Sequence, residues 1–193
     1  IAALSCKARD AGGTVTIISS DKDLMQLVGD GVQMLDPIKG KAIGPEEVRE
    51  KFGVGPDRVV DIQALAGDAI DNVPGAPGIG IKTAAQLIIE YGDLDQLLFR
   101  ATEIKQPKRR EALLENAEKA RISRQLVLLD DKVDLEDSVF LAGNDGPRRT
   151  SQIVIRQDAR HAATIRWSFV RSSTSATATN ARRNARREPG LPL

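Results

Sequence analysis

A segment rich in glycine and proline, residues 71–80, separates two stretches of helical pattern and strongly limits how this chain can fold. The helical pattern before it ends near Gly67, and the pattern after it begins at Lys82. Because glycine adopts backbone conformations that other residues avoid, the Gly-Ile-Gly sequence at 78–80 predicts a tight hairpin between two helices. We expect Ile79 to point inward as the apolar anchor of this hairpin.

Three phosphate-binding motifs can be compared with this hairpin, and two of them do not match. A Walker A loop requires lysine directly after its last glycine, but Ile81 separates Gly80 from Lys82. A dinucleotide fingerprint that starts at Gly78 requires glycine where Thr83 stands. The third motif is a helix–hairpin–helix, in which glycines and the amides at a helix start approach a DNA phosphate. The alternative is a hairpin that only turns the chain.

Composition restricts the chemistry available to the chain. Among its 193 residues are one cysteine, Cys6, and one histidine, His161. This excludes an internal disulfide and a cysteine-based zinc site, and it argues against a Ser-His-Asp triad. No apolar run approaches the roughly 20 residues of a membrane helix, and no signal-peptide pattern opens the chain. We therefore expect a cytoplasmic protein without membrane contact, whose catalysis would depend on carboxylates.

Two pairs of aspartates are the candidate carboxylates. Asp21 and Asp23 follow a predicted strand, at the end of strands where α/β sheets place ligands. Asp68 and Asp71 stand three residues apart at a helix end, so we expect them on one helix face, where they could share a cation. Mg²⁺ or Mn²⁺ suits such oxygen ligands. The alternatives are that Asp21 only caps the next helix and that the second pair only marks a loop entry.

The pattern of strands and helices divides most of the chain into two regions. Residues 1–40 contain predicted strands at 14–18 and 32–35 and are expected to form part of an α/β sheet. Residues 41–137 are expected to form a helical lobe that contains the hairpin and, near its end, one helix at 108–121.

The remaining region, residues 138–193, differs in composition. Residues 147–193 carry 10 arginines, no lysine and 2 acidic residues, whereas residues 1–146 carry 18 basic and 25 acidic residues, a net charge of −7. Ser, Thr, Ala, Asn and Arg dominate residues 171–187, a composition that cannot bury enough apolar surface to fold alone. We expect either a natural disordered tail or a translation product of a shifted reading frame.

Three motifs, in this order and spacing, resemble the 5′-nuclease domain of bacterial DNA polymerase I, which belongs to the flap endonuclease superfamily. They are SSDKDLMQL at 19–27, GDAIDNVPG at 67–75 and GIGIKTA at 78–84. The resemblance covers about residues 1–137. It implies an α/β fold in which the C-terminal part of a PIN-like 5′-nuclease sheet is followed by a helical lobe with a helix–three-turn–helix. It also implies DNA hydrolysis at 5′ ends and flaps during replication and repair, with polymerase domains in the full-length protein.

The same resemblance implies site residues. In the family, carboxylates hold two divalent ions, of which one activates the attacking water and the other stabilises the leaving oxygen. The matching carboxylates are Asp21, Asp23, Asp68 and Asp71. The residues that match the DNA-holding hairpin are Gly78, Ile79, Gly80, Lys82 and Thr83. A potassium ion bound by backbone carbonyls of that hairpin is a further family feature that this sequence permits.

The chain departs from the family pattern at both ends. The family's first strand, a further acidic cluster and the arch that contacts the scissile phosphate would precede Ile1, and residues 138–193 match none of the domains expected to follow. We therefore expect a fragment that binds a flap duplex in Mg²⁺ without cutting it. We also expect the strand at 14–18 to expose an unpaired edge.

Two other functions remain open from the sequence. A non-catalytic helix–hairpin–helix module would bind duplex DNA, but it has no reason to gather four aspartates. A phosphotransferase built on the Asp-x-Asp strand end would need a supporting residue where Leu24 and Met25 stand. Because the acidic residues repel DNA, binding would depend on a patch around Lys82 and weaken steeply with salt. A second basic cluster at 105–110 either contacts DNA or is an ordinary solvated helix start.

Overall fold

A computed structural model of the chain describes residues 1–134 and two further strands at 152–157 and 163–168. Strands alternate with helices at first, and from residue 45 to residue 134 the regular structure is helical. The elements, in chain order, are α1 (Ala2–Asp10), β1 (Thr14–Ile18), a 3₁₀ helix (Lys22–Leu27), β2 (Val32–Asp36), β3 (Lys41–Ile43), α2 (Pro45–Phe52), α3 (Val59–Ala66), α4 (Ile81–Tyr91), α5 (Leu94–Phe99), α6 (Pro107–Glu115), α7 (Ala117–Val127), β4 (Gln152–Gln157) and β5 (Ala163–Ser168). Two shorter 3₁₀ turns precede α3 and follow α5, at Pro56–Arg58 and Ala101–Glu103.

The strands form one mixed sheet in the order β3-β2-β1-β4-β5. β1 lies at its centre and runs parallel to β2, with Val15 opposite Val32, while β3 pairs antiparallel with β2. Val15 and Ile17 of β1 are buried, as expected of a short β-branched strand inside an α/β sheet. The predicted strands at 14–18 and 32–35 are confirmed, and both end at the sheet edge where ligands bind in such folds.

The second edge of β1 is paired, which differs from the expectation of an exposed edge. β4 runs parallel to β1 along its whole length, and β5 pairs antiparallel with β4. Both strands fall within residues 138–193, and the sheet edge of β1 supplies backbone partners that composition cannot predict. The rest of residues 138–193 lies outside the described residues, and both the disordered tail and the shifted reading frame stay predictions.

The helical lobe is built around α3. Val59, Ile62 and Leu65 of this helix are fully buried, and α4 and α7 pack against it. One hydrophobic cluster continues from β1 through the 3₁₀ helix into the lobe, so the sheet and the lobe share a core. The loop after β1 is therefore fixed against α3. Among the helices of residues 1–134, none is long and apolar enough to span a bilayer.

The predicted helix at 108–121 is two helices, α6 and α7, which meet at Asn116. The Asn116 side chain donates from Nδ2 to the Ala112 carbonyl oxygen at 2.8 Å. Asparagine competes in this way with helical hydrogen bonding, which explains why one continuous pattern breaks here. The prediction of a single helix is wrong, and the break lets α7 turn along α3.

Candidate functional site

The loop after β1 carries the first pair of aspartates. Asp21 is the N-cap of the 3₁₀ helix, where its Oδ1 accepts a hydrogen bond from the Asp23 N–H at 3.0 Å. The Asp21 N–H in turn donates to Ser19 Oγ at 3.0 Å. The capping role of Asp21 is therefore confirmed. The same turn keeps both aspartates at the carboxyl end of β1, as the ligand interpretation requires.

Asp23 is partly buried, and its carboxylate contacts the helical lobe. Its Oδ1 accepts a hydrogen bond from Nε2 of Gln63 in α3. Burial raises the pKa of Asp23, and the negative charges of Asp21 and Asp71 raise it further, whereas Gln63 and the charge of Lys22 lower it. The effect of Asp71 means that the second acidic pair lies within electrostatic range of the first.

Asp68 and Asp71 lie in a turn rather than on a helix face. α3 ends at Ala66, and Gly67 leaves the helix with φ +70°. Asp68 and Val73 then exchange two backbone hydrogen bonds, at 2.9 and 2.7 Å, which close the turn around Asp71. The prediction of a shared helix face is wrong, because the positive φ of the glycine ends the helix before either aspartate.

An ion pair joins the two acidic segments. Lys22 Nζ contacts Asp68 Oδ2, and the Ile70 N–H donates to Asp68 Oδ1 at 2.9 Å. The Lys22 ammonium and the Ile70 amide hold the pKa of Asp68 below its usual value, and the hydrogen bond to Asp68 raises the pKa of Lys22. Because Asp68 Oδ2 is buried, the ammonium neutralises a carboxylate that little water reaches.

The four aspartates do not form a closed metal cage. In the described part of the chain, no three histidine, cysteine or carboxylate side chains come close enough together to hold a metal ion. The structure brings Asp21 and Asp23 together on one loop and places Asp68 beside Lys22. The candidate ligand atoms are carboxylate oxygens, which suit a hard divalent cation. One cation, the Lys22 ammonium, already contacts Asp68.

The glycine hairpin begins directly after the acidic turn. A Cβ built on Gly75 would lie 2.5 Å from the Gly67 nitrogen, so the crossing backbones leave no room for a side chain there. The Ala76 N–H donates to the Leu65 carbonyl at 2.8 Å, and the Gly75 N–H donates to the buried Ser123 Oγ at 3.0 Å. The hairpin is thereby held against both α3 and α7.

The predicted DNA-binding residues lie together where α4 begins. Ile79 is 3% exposed, which confirms its predicted inward orientation. Gly78 has φ +77°, Gly80 is the N-cap of α4, and a Cβ built on either glycine meets no heavy atom within 4 Å. Lys82 is exposed, and with Thr83 it lies in the first turn, where backbone N–H groups have no intrahelical acceptor. An anion could contact these amides and the ammonium together.

The second basic cluster lies around the start of α6. Lys105 and Lys108 are exposed, whereas Arg110 donates from Nη1 to the Ile104 carbonyl at 3.3 Å. One of its members therefore has a structural contact, and a role of the cluster toward DNA stays a prediction.

Three polar residues connect these segments and were not predicted from the sequence. Gln63 and Gln26 hold the loop after β1 that carries Asp21 and Asp23, called the acidic loop from here on. Ser123 holds the hairpin. Gln63 could have been noticed, because α3 is otherwise largely apolar and a buried amide needs a partner. Gln26 and Ser123 stand in sequences of mixed polarity and carry no comparable signal.

Two models of known protein families match this chain, one directly after the other. The model of the N-terminal resolvase-like domain of 5′-3′ exonucleases matches residues 1–53, and the model of their C-terminal SAM fold matches residues 54–145. The chain belongs to the 5′-3′ exonuclease family. In this 5′-3′ exonuclease chain the first aspartate pair falls within the N-terminal match, and the second pair and the hairpin fall within the C-terminal match.

Curated relatives of the chain are bacterial DNA polymerases I. It is 56% identical to the Rhizobium leguminosarum enzyme over 151 residues, which are 77% of this chain and 15% of that protein. It is 41% identical to the thermostable Thermus thermophilus enzyme, over 77% of this chain and 18% of that protein. The identity to the Bacillus subtilis enzyme is 34%, over 82% of this chain and 18% of that protein. The chain thus spans less than a fifth of the length of these relatives.

Solved structures with a similar fold are those of T5 5′-exonuclease. One variant of that protein superposes with a TM-score of 0.60 at 24% identity, covering 65% of this chain and 52% of that chain. The zinc-bound T5 5′-exonuclease has the same TM-score and identity and covers 65% and 47% of the two chains. The likeness confirms the predicted 5′-nuclease sheet followed by a helical lobe.

Proposed function

We propose that the chain is part of a structure-specific 5′-nuclease that hydrolyses DNA phosphodiester bonds at 5′ ends and flaps, within a DNA polymerase I that also carries polymerase domains. The observation that carries this proposal is the contact of Lys22 with Asp68, which brings the two acidic segments together just before the glycine hairpin. Family membership and the DNA polymerase I relatives support the same activity.

The proposed metal ligands are Asp21, Asp23, Asp68 and Asp71, which would hold two Mg²⁺ or Mn²⁺ ions. The raised pKa of Asp23 and the Lys22 ammonium on Asp68 support this, because both indicate negative charge that a divalent cation would neutralise. When bound, such ions neutralise charge on the phosphate and activate the attacking water. Lys22 has to leave Asp68 before Oδ2 of that carboxylate can become a ligand. A potassium ion at the hairpin carbonyls stays a prediction.

The proposed DNA contact is made by the start of α4. Gly78 and Gly80 leave the backbone open, and Lys82 and Thr83 follow in the first helical turn. Such a surface binds a phosphate of either strand without reading bases, which suits an enzyme selective for the shape of DNA. The structure of a T5 flap endonuclease in complex with DNA and metal ions is among those with a similar fold.

A flap-duplex assay tests the DNA contact. The purified chain is mixed with a 5′-labelled flap duplex in Mg²⁺ and run on a native gel beside a denaturing gel. We expect a retarded band that Lys82→Ala weakens, with the slope of log affinity against log salt reduced by about one. The matched control is Lys7→Ala, which removes an exposed lysine of α1. No retarded band at low salt, or equal losses in both variants, would contradict the proposal.

A second candidate function is a non-catalytic DNA-binding module, which the lack of a closed metal cage among the described residues favours. Calorimetry with Mn²⁺ separates the two functions. A nuclease site requires Mn²⁺ binding that Asp23→Asn and Asp68→Asn weaken, whereas a binding module would retain duplex affinity regardless of Mn²⁺. Cleavage on the denaturing gel that disappears in Asp23→Asn would decide for the nuclease.

A further inference from the structure

Asp23 is held from two sides by glutamine side chains. Gln63 of α3 donates from Nε2 to the Asp23 carboxylate. Gln26, further along the 3₁₀ helix, donates from Nε2 to the Asp23 carbonyl oxygen at 2.9 Å. Both the side chain and the backbone of Asp23 are therefore fixed by amide donors.

Gln26 also fastens the acidic loop to the end of α7. Its Nε2 donates to the Val127 carbonyl at 2.9 Å, and its Oε1 accepts from the Leu129 N–H at 3.1 Å. These partners stand 101 and 103 residues further along the chain, so the contacts exist only when the loop and the lobe are packed together. The position of Asp23 thus depends on where the chain leaves α7.

Burying the amide of Gln63 lowers the stability of the fold unless the amide forms hydrogen bonds. The residue is 5% exposed, and its Oε1 has no hydrogen-bond partner among the described residues. An unpaired buried oxygen destabilises a fold, and a leucine at this position would avoid it in a helix that is otherwise largely apolar. The hydrogen bond from Gln63 to Asp23 offsets part of this cost, and a leucine could not form it.

We propose that Gln63 and Gln26 are positioning residues that hold Asp23 in the orientation in which it binds a divalent cation. The inference rests on the proposed function, because it assigns both residues a role toward the same metal ions. Residues that orient a metal ligand contribute roughly ten- to a hundred-fold to metal affinity. Gln63 acts on the carboxylate itself and Gln26 acts through the backbone, so Gln63 has the larger effect.

Calorimetric titration of the full chain with Mn²⁺ tests this role. Gln63→Met keeps the length of the side chain but removes the donor, and we expect the Kd for Mn²⁺ to rise about 10- to 100-fold. We expect a smaller rise for Gln26→Met. The matched control is Gln33→Met, because Gln33 donates from Nε2 to Thr16 Oγ1 at 3.1 Å between β2 and β1, away from the acidic loop. Its Kd should equal that of the wild type.

A second measurement distinguishes positioning from general support of the fold. In an NMR titration with Mg²⁺, the side-chain amide signals of Gln63 should shift with the midpoint that calorimetry with Mg²⁺ gives, while those of Gln33 stay in place. An amide that contacts no metal ligand would not follow the metal concentration. If Gln63→Met proves unfolded by circular dichroism, Gln63→Asn serves in its place, since it keeps an amide that is too short to reach Asp23.

The outcomes separate this inference from the proposed function. If Asp23→Asn weakens Mn²⁺ binding but the Gln63 variants bind like the wild type, the positioning role is wrong and the metal site stands. If the wild type and Asp23→Asn bind Mn²⁺ alike, the metal site itself is wrong and the inference falls with it. Weaker binding in the Gln63 variants, with Gln33→Met unchanged, confirms the positioning role.

Discussion

The acidic loop and the glycine hairpin adjoin each other but are held in different ways. The hairpin depends mainly on the backbone of nearby residues, through the hydrogen bond from the Ala76 N–H to the Leu65 carbonyl and the close approach of Gly75 to Gly67. The acidic loop depends on side chains from distant parts of the chain, including Gln63, which lies 40 residues beyond Asp23. A shape made by local backbone geometry can be predicted from its residues, whereas a site held by distant side chains cannot.

The sharpest test of the local hairpin geometry is Gly75→Ala. The new Cβ would lie 2.5 Å from the Gly67 nitrogen, and φ at this position is +60°. Overpacking and left-handed strain together should lower the free energy of unfolding by about 3–4 kcal/mol, measured by urea denaturation. The control Gly78→Ala has a similar φ of +77° but open space, and it should cost only about 1 kcal/mol. Equal losses would contradict the close approach.

The one long-range side-chain contact described for the hairpin backbone can be broken with Ser123→Ala. The Gly75 N–H would lose its acceptor in a buried position, so we expect a loss of about 1–3 kcal/mol in unfolding free energy. Ser5→Ala is a matched control, because Ser5 is equally buried but its Oγ has no hydrogen-bond partner among the described residues. A loss in Ser5→Ala as large as in Ser123→Ala would mean that burial, rather than the hydrogen bond, sets the effect.

Replacing Asp68 and replacing Asp23 by asparagine should change the free energy of unfolding in opposite directions. Lys22 lowers the pKa of Asp68, so ionised Asp68 stabilises the fold above its unfolded pKa of about 3.9, and this is lost as pH falls through the lower folded pKa. Asp68→Asn should therefore cost about 1 kcal/mol at pH 7.

Burial raises the pKa of Asp23, so its ionised form costs stability at neutral pH, and that cost disappears as pH falls through the raised folded pKa. Asp23→Asn should be neutral or stabilising at pH 7. Urea midpoints between roughly pH 3 and pH 7 measure both variants, and we expect their differences from the wild type to shrink toward the acid end. A destabilising effect of both variants at pH 7 would show that the environments of the two aspartates do not differ in this way.

The smallest effect concerns the lysine between the acidic segments. Lys22→Met removes the ion pair with Asp68, and in the absence of divalent ions it should cost no more than about 1 kcal/mol. Added Mg²⁺ should then raise the melting temperature of this variant more than that of the wild type, because the ammonium no longer competes for the carboxylate. The control is Lys41→Met, which removes a more exposed ammonium 3.8 Å from Glu47 and Glu50. A Mg²⁺ response equal to that of the wild type would contradict competition.

Elements with a strong local signal were predicted closely. β1 occupies the predicted residues 14–18, since a β-branched run between Gly13 and Ser19 needs no distant partner to be recognised. β3 was missed because three residues, Lys41–Ile43, carry little strand preference and pair with β2 only after the turn at Asp36. The pairing of β4 with β1 was missed for the same reason, since it depends on an edge elsewhere in the chain.

Residue type and spacing along short segments were enough to predict the family and the glycine hairpin and to single out four aspartates as candidate ligands. Tertiary structure decided how those aspartates are arranged. Gly67 ends α3 before Asp68, Lys22 contacts Asp68 from another loop, and Gln63 holds Asp23. The contacts of Lys22 with Asp68 and of Gln63 with Asp23 depend on packing α3 against the loop after β1. The burial that shifts the pKa of Asp23 arises only when the sheet and the lobe close over one core.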